Sequence, residues 1–593
     1  MNLRKTLLSV SFAAAVAAIA ACGNSSNSSN PTPTAAVSPQ DALQTSTPIK
    51  HVVVIFGENE SFDHYFGTYP NAQNPEGEPV FSAATGTPAV NGLTSALLTN
   101  NPTVSNTSNP KGTNINPFRL DRSQAATESQ NHNYTPEQLA ADGGKMDAFP
   151  LNTGDNAVGS ANTFGEPGLV MGYFDGNTVT ALWNYAQHFA MSDNAYTDTY
   201  GPSSPGAISV VSGQHNGAVV TSKGAVVAGS ATSSPSTSVL YDLQGGWTLV
   251  GDLDPTGDAC TVAAGSTTTA GMTSKNIGDL LNSASITWGG FMGGFNLQTV
   301  NANGTTGCNR STYSSVLGAN ENDYVQHHAW FQYYKTTQNL AHTRPSSVAA
   351  IGYTDPLDNT ATPVHHQYDV NDFFAAVQSG NFPSVSFLKA PAVADAHPGN
   401  SDPLDEQSFV TSVVNFLQQQ PDWKNTAVIV TYDDSDGWYD HQYVTPTTSS
   451  FDSTSAETTG QNVKVAVTGA DQLNGPGVCN AAGAVQGVGV NGGAVNGRCG
   501  PGTRIPFLVI SPYAKANYVD SSTVLTQASV VRFIEDNWLG GSRIGQGSND
   551  ANAGSIMNLF NFAATTPNAP LYLDSNQGTP LTAPPAAITG PSL

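Results

Sequence analysis

Basic side chains are scarce in this sequence: 20 Lys+Arg stand against 44 Asp+Glu, a net charge of −24. That balance disfavours nucleic acid as a partner, because a phosphate backbone is held by a basic face. Anionic lipids would be repelled by the same bulk charge. Charge of either sign is thin, at 11% of residues against roughly 25% in an average soluble protein. Acidic side chains that gather anywhere therefore need a local reason. Cysteine is also short, with 5 in 593 residues and no C-x-x-C pair to suggest a zinc–thiolate site. G-x-S-x-G does not occur, which disfavours a hydrolase of the serine-elbow type. What fills the chain is Ser, Thr, Asn, Gln and Gly, a composition that suits an exported bacterial protein. The length allows a large core.

The opening "MNLRKTLLSVSFAAAVAAIAAC" places Arg4 and Lys5 before an apolar run and small residues before Cys22. This is the layout of a signal peptide, residues 1–21. The run stops short of the roughly 20 apolar residues a membrane-spanning helix needs. "IAAC" resembles a bacterial lipobox, which predicts lipid attachment at Cys22, followed by a polar tether over 22–47. Plain cleavage near Ala21 is the alternative. The protein is expected in the periplasm or outer membrane as a lipoprotein, or secreted. Loss of Arg4 and Lys5 takes the balance to 18 − 44 = −26. Four cysteines then remain, and an even number in an exported chain favours disulfides. Of three possible pairings, the nearest-neighbour one joins Cys260 to Cys308 and Cys479 to Cys499.

From residue 48 to about 575 the pattern is globular. "HVVVIFG" (51–57), "SVSFLKA" (384–390), "TAVIVTYDD" (426–434) and "PFLVIS" (506–511) read as buried parallel strands. Helical spacing over 178–190, 405–420 and 526–539 alternates with them. The fold class is α/β, a mostly parallel central sheet with helices on both faces. Gly/Ser/Thr-rich stretches near 210–320 and 445–500 read as loop or small β insertions, and 576–593 as a flexible tail. In such sheets the chemistry lies beyond the carboxyl ends of the strands.

Two strand ends carry ligand-type residues. The first run passes directly into Glu58 and Asn59, hard oxygen donors for a divalent cation. Asn59 or Ser61 would also cap a helix in "SFDHYFG". The run 428–432 ends in Asp433 and Asp434, with Asp436, Asp440 and His441 close behind. Adjacent buried carboxylates repel each other, and a cation relieves that. In "TDTYGPSSPGAISVVSG", Ser204 is the expected N-cap and Pro205 the first helical residue. Ser203 would then sit just before a helix N-terminus, where anions are favoured. His132, His327, His328, His365, His366 and His397 lie in polar loops and can donate to phosphate oxygens, protonate a leaving group or bind metal.

"HVVVIFGENESFDHYFG", "GPSSPG", "DAHPGNSDPLDEQ" and "VTYDDSDGWYDH" resemble, in the same order, the blocks of the bacterial phosphoesterase family. That family joins phospholipases C with AcpA-type acid phosphatases in the alkaline-phosphatase-like superfamily. The resemblance spans roughly residues 48–565. It implies an alkaline-phosphatase-like sheet and one divalent metal ion of unnamed identity held by Glu58, Asn59, Ser203, Asp433 and Asp434. Ser203 would be the nucleophile, and His132, His327, His328 and His397 would surround the phosphate, with His365 and His366 nearby. Phospholipases C of the family carry blocks resembling GPT-x-PNR and YDE-x-GGFYDH. Ser203 with Pro205-Gly206, and Asp434-Ser435-Asp436-Gly437, depart from these toward the acid phosphatase branch. The expectation is a metal-dependent acid phosphatase acting on monoesters through a phosphoserine. Phospholipase C activity is the alternative, and a non-catalytic surface-binding protein a remote third.

Overall fold

A computed structural model describes residues 39–112, 115–155, 159–160, 162–230, 234–449, 485–587 and 590. The signal segment 1–21, Cys22, most of the tether, Cys479 and much of 445–500 lie outside these.

Eight strands make the central sheet: β1 (His51–Gly57), β2 (Ala190–Ser192), β3 (Trp288–Met292), β4 (Gln367–Asp369), β5 (Val385–Lys389), β6 (Thr426–Tyr432), β7 (Phe507–Ile510) and β8 (Tyr518–Asp520). Their spatial order is β4-β3-β5-β1-β6-β7-β2-β8. β1 is parallel to β5 and β6, and β3 to β4 and β5. Every residue of β1 and β6 is buried, so both read as unbroken apolar runs rather than alternating ones. The fold is α/β around a mostly parallel sheet.

Four expectations about the strands and the ends of the globular region need correcting. "PFLVIS" supplies β7, which is antiparallel to both β6 and β2; an apolar run buried on two faces carries no mark of its direction. Trp288–Met292, placed by sequence in an insertion, is central strand β3. Its Gly289 and Gly290 interrupt the apolar pattern because a Cβ would lie 2.7 Å from Phe291 at the first and 2.7 Å from Gln367 at the second. The tether ends earlier than residue 47: Gln40 bonds Tyr353 Oη at 3.0 Å, and the Thr47 hydroxyl bonds Asn537 at 2.8 Å. The chain after residue 575 is not loose at its start, since Asn576 accepts from Gln407 and Gly578 from Asn184 through their carbonyls.

The rest of the 210–320 stretch forms a separate five-stranded sheet between Asn216 and Met272, then the antiparallel pair Ser311–Ser314 and Ala319–Asn322. Cys260 and Cys308 are joined by a disulfide. The helices include α1 (Phe62–Phe66), α2 (Tyr134–Ala141), α3 (Thr180–His188), α4 (Ser203–Ser212), α5 (Pro403–Gln418) and α6 (Ala528–Trp538). Ser61 caps α1 by accepting from the His64 N–H at 3.2 Å. α4 starts earlier than expected, with Pro202 as its N-cap and Ser203 its first residue. Ser204 is drawn away from capping: its N–H donates to Asp252 at 2.9 Å and its hydroxyl to the His327 carbonyl at 3.3 Å. Among the described residues no helix is long and apolar enough to cross a membrane.

Candidate active site

Gly57 pairs with Tyr432 across β1 and β6. Glu58 and Asp433 therefore leave neighbouring parallel strands at the same level. Asn59 follows with φ 65°, a left-handed conformation that Asn tolerates better than most residues. The bend turns its N–H to Asp433 Oδ1 at 2.9 Å. Its side-chain amide reaches Asp436 at 3.2 Å and His132 Nε2 at 3.3 Å. The Asp434 N–H closes on Asp433 Oδ1 at 2.8 Å, and the Asp436 N–H on Asp434 Oδ1 at 2.7 Å. This turn holds both carboxylates at the strand end.

α4 brings Ser203 to the same point. Its hydroxyl lies 3.5 Å from Asn59 Oδ1 and 3.4 Å from Asp434 Oδ2. Glu137 on α2 clamps the two segments together. One of its oxygens accepts from the Gly201 N–H and the other from the Ser435 hydroxyl, both at 2.8 Å. Burial pushes this carboxyl up to about 7.

Histidines 132, 327, 328 and 397 converge on this centre, His327 and His328 from the 3-10 helix Gln326–His328 rather than from a loop. The rings of His132 and His397 are 6.0 Å apart, those of His328 and His397 6.3 Å, and those of His327 and His328 4.5 Å. His328 Nδ1 is 3.2 Å from Glu58 Oε1. Their environments pull them apart. Burial opposes charge on all four. At His132 this is outweighed by Asp434 and Asp436, and its pKa lies well above the usual histidine value. At His327 it is outweighed by Asp252 and Asp254, which raise it. Burial and the neighbouring cations hold His328 well below that value, and burial lowers His397. His365 and His366 do not join them. His366 stacks on Trp288 at 4.6 Å, at the opening residue of β3, and His365 bonds the Gln338 carbonyl. The site lies beyond the other end of that strand.

The donor set suits a divalent cation. Buried oxygens Glu58 Oε2 and Asp433 Oδ2 have no hydrogen-bond partner, an expensive condition for carboxylates. Burial and then Asp433 push both Glu58 and Asp434 well above the usual carboxylate range. A cation among Glu58, Asn59, Asp433, Asp434 and Ser203 would relieve both conditions, and all-oxygen donors suit hard ions.

Sequence reasoning passed over three contributors. Lys389, the last residue of β5, is buried and ion-paired with Glu58. A lone lysine closing the apolar run "SVSFLKA" was the available signal. Asp395 accepts from the His397 N–H at 3.1 Å, and its second oxygen is buried without a hydrogen-bond partner. Glu137 had no signal beyond an acid in a mostly apolar helix. Of the three other acid–histidine clusters among the described residues, two are filled by their own partners. Asp63 and Asp440 hold the buried Arg504, and Asp258 holds His342 at 2.8 Å.

A sequence model of the Phosphoesterase family matches residues 49–539. The chain belongs to that family. It is 29% identical over 221 residues to "Phospholipase C A" of Mycobacterium tuberculosis, covering 36% of this chain and 36% of that one. It is 29% identical over 167 residues to "Non-hemolytic phospholipase C" of Pseudomonas aeruginosa, 27% of this chain and 21% of the relative. A Burkholderia pseudomallei protein of the same description is 33% identical over 162 residues, 27% and 19%. The matched stretches thus span about a third or less of these relatives.

Proposed function

We propose that this phosphoesterase is a metal-dependent phosphoric ester hydrolase, built on an alkaline-phosphatase-like scaffold, that cleaves phosphate monoesters through Ser203. The supporting observation is the position of the Ser203 hydroxyl. It lies at the first turn of α4 between Asn59 and Asp434, facing a donor set with orphaned carboxylate oxygens and ringed by four histidines. One divalent ion held by Glu58, Asn59, Ser203, Asp433 and Asp434 would lower the pKa of the serine hydroxyl and offset phosphoryl charge. Ser203 Oγ then forms a bond to phosphorus as the ester P–O bond breaks in line. His132 and His327, which favour the imidazolium form, donate to phosphoryl oxygens, and an imidazolium gives the departing alkoxide its proton. The proton that Ser203 Oγ gives up passes to solvent; water then attacks the phosphoserine, its proton goes to the imidazole left neutral by the first step, the Oγ–P bond breaks and Oγ takes a proton back from solvent.

The departures at "GPSSPG" and "DDSDG" from the phospholipase blocks favour the monoester reading. The printed names of the relatives favour a second one, phospholipase C, in which the phosphorus carries two ester bonds. We also propose export by the segment 1–21 and a lipid anchor at Cys22, from the charge and small-residue pattern there.

The test is hydrolysis of p-nitrophenyl phosphate against p-nitrophenyl phosphorylcholine across pH, with Ser203→Ala as control. Monoester turnover peaking below neutrality and lost in the variant is expected. Preference for the choline diester would replace acid phosphatase by phospholipase C. Turnover unaffected by the substitution would remove Ser203 as nucleophile.

A further inference from the structure

The buried carboxylates at the strand ends are more numerous than one divalent ion would neutralise. Glu58, Asp395, Asp433 and Asp434 are each at most 1% exposed, and uncompensated charge at such depth is costly. Their contacts divide into two halves. On one side Asp433 Oδ1 ties down the Asn59 and Asp434 amides, and Ser203 stands against Asn59 and Asp434. On the other, Glu58 Oε1 and Asp395 Oδ2 both approach His328 Nδ1, at 3.2 and 3.7 Å.

That second half has the makings of a cation site in its own right. Glu58, His328 and Asp395 each offer a ligand atom, all within 4.8 Å of one another. Phosphoryl-transfer sites that use two metals keep them about 3.5–4 Å apart, and Glu58 is shared between the two halves here. Yet Lys389 already contributes a cation there. It ends β5, pairs in register with Met292 of β3, and is 1% exposed. Its ammonium is ion-paired with Glu58 Oε1 and acts electrostatically on Asp395 and Asp433.

We propose that Lys389 is the protein's own second cation. Its ammonium, ion-paired with Glu58 Oε1, takes the charge-balancing role a second divalent ion would have in the Glu58–His328–Asp395 cluster, and so fixes the site at one metal ion. The inference rests on the metal-dependent reading above. A lysine held by the backbone cannot exchange or be stripped by a chelator. It leaves Glu58 Oε2 free for the metal half while holding Oε1. Lys389 is a positioning residue in this scheme, since it acts through Glu58.

The experiment counts metal. Full-length protein, stripped with chelator and passed over a desalting column, is titrated with Mn2+. Bound ions per chain are read by elemental analysis and calorimetry, and spin coupling between ions by electron paramagnetic resonance. The wild type is expected to hold about one uncoupled Mn2+. Lys389→Ala is expected to hold about two, with an exchange-coupled signal, and Lys389→Ala/Asp395→Ala to return to about one. Lys389→Arg, which keeps the charge, is expected to stay at about one. If the alanine variant does not fold by circular dichroism, Lys389→Gln carries the same expectation. Two ions in the wild type, or one ion of unchanged affinity in the neutral variants, would overturn the proposal. A wild type that binds none would overturn the metal-dependent reading itself, and this inference with it.

Discussion

Gly206 of α4 lies flat against Asp433: a Cβ on Gly206 would stand 2.2 Å from the Asp433 carbonyl oxygen. No side chain fits between the helix that carries Ser203 and the strand end that carries the carboxylates. Backbone meets backbone there, so neither can yield by a rotamer change.

Gly206→Ala should therefore push α4 away from β6 and take Ser203 with it. Overpacking of this kind costs about 1–3 kcal/mol, and a displacement near 1 Å costs about 100-fold in rate. A fall of that order in kcat/KM for p-nitrophenyl phosphate is expected, with a modest drop in Tm. Unchanged kinetics would show that the Gly206–Asp433 contact does not set the position of Ser203.

Asp436 holds the floor of the site. It accepts from Gln130 N–H and Ser129 hydroxyl, each at 2.8 Å, and from the Asn59 amide, and its Oδ1 lies 3.0 Å from His132 Nδ1. Asp436→Asn removes an acceptor while keeping the shape. Loss of such a supporting contact typically costs about 10–100-fold in activity or metal affinity. The same range is expected in kcat/KM, with the far-ultraviolet circular dichroism unchanged.

Glu406 on α5 accepts from Tyr65 Oη at 3.1 Å and from Tyr432 Oη. Burial pushes its carboxyl up to about 8. The folded value lies above the unfolded one, about 4.3, so the protonated form is favoured in the fold. Its contribution is present in full below the unfolded value and is lost as pH rises through about 8. Thermal melting should show a fall in Tm across that window, and Glu406→Gln should flatten the part due to this residue. An identical slope in the variant would exclude Glu406 as its source.

Cys260–Cys308 closes a separation of 48 residues. Chain entropy assigns a loop of that size about 4 kcal/mol. Replacing both cysteines with serine should lower the urea midpoint accordingly. The site residues lie on other segments, so kcat at 25 °C should change little. A variant with wild-type stability would show that the surrounding packing already orders this loop.

The sequence by itself determined the α/β class, because strands buried on both faces must be apolar throughout and helices between them must show a 3.6-residue period. It also determined which residues stand at the ends of β1 and β6, since polarity changes abruptly at Glu58 and at Asp433. Short strands escaped it: Ala190–Ser192 is too brief to show a pattern, and the glycines of β3 erase one. Strand direction escaped it as well, as β7 shows. Only the tertiary structure decided that Gly57 and Tyr432 stand in register, that Gly206 lets α4 touch Asp433, and that His365 and His366 belong to the far end of β3. Only it brought Lys389 to Glu58 across a separation of 331 residues. Each of these is a contact between distant segments, and such contacts leave no periodic trace along the chain.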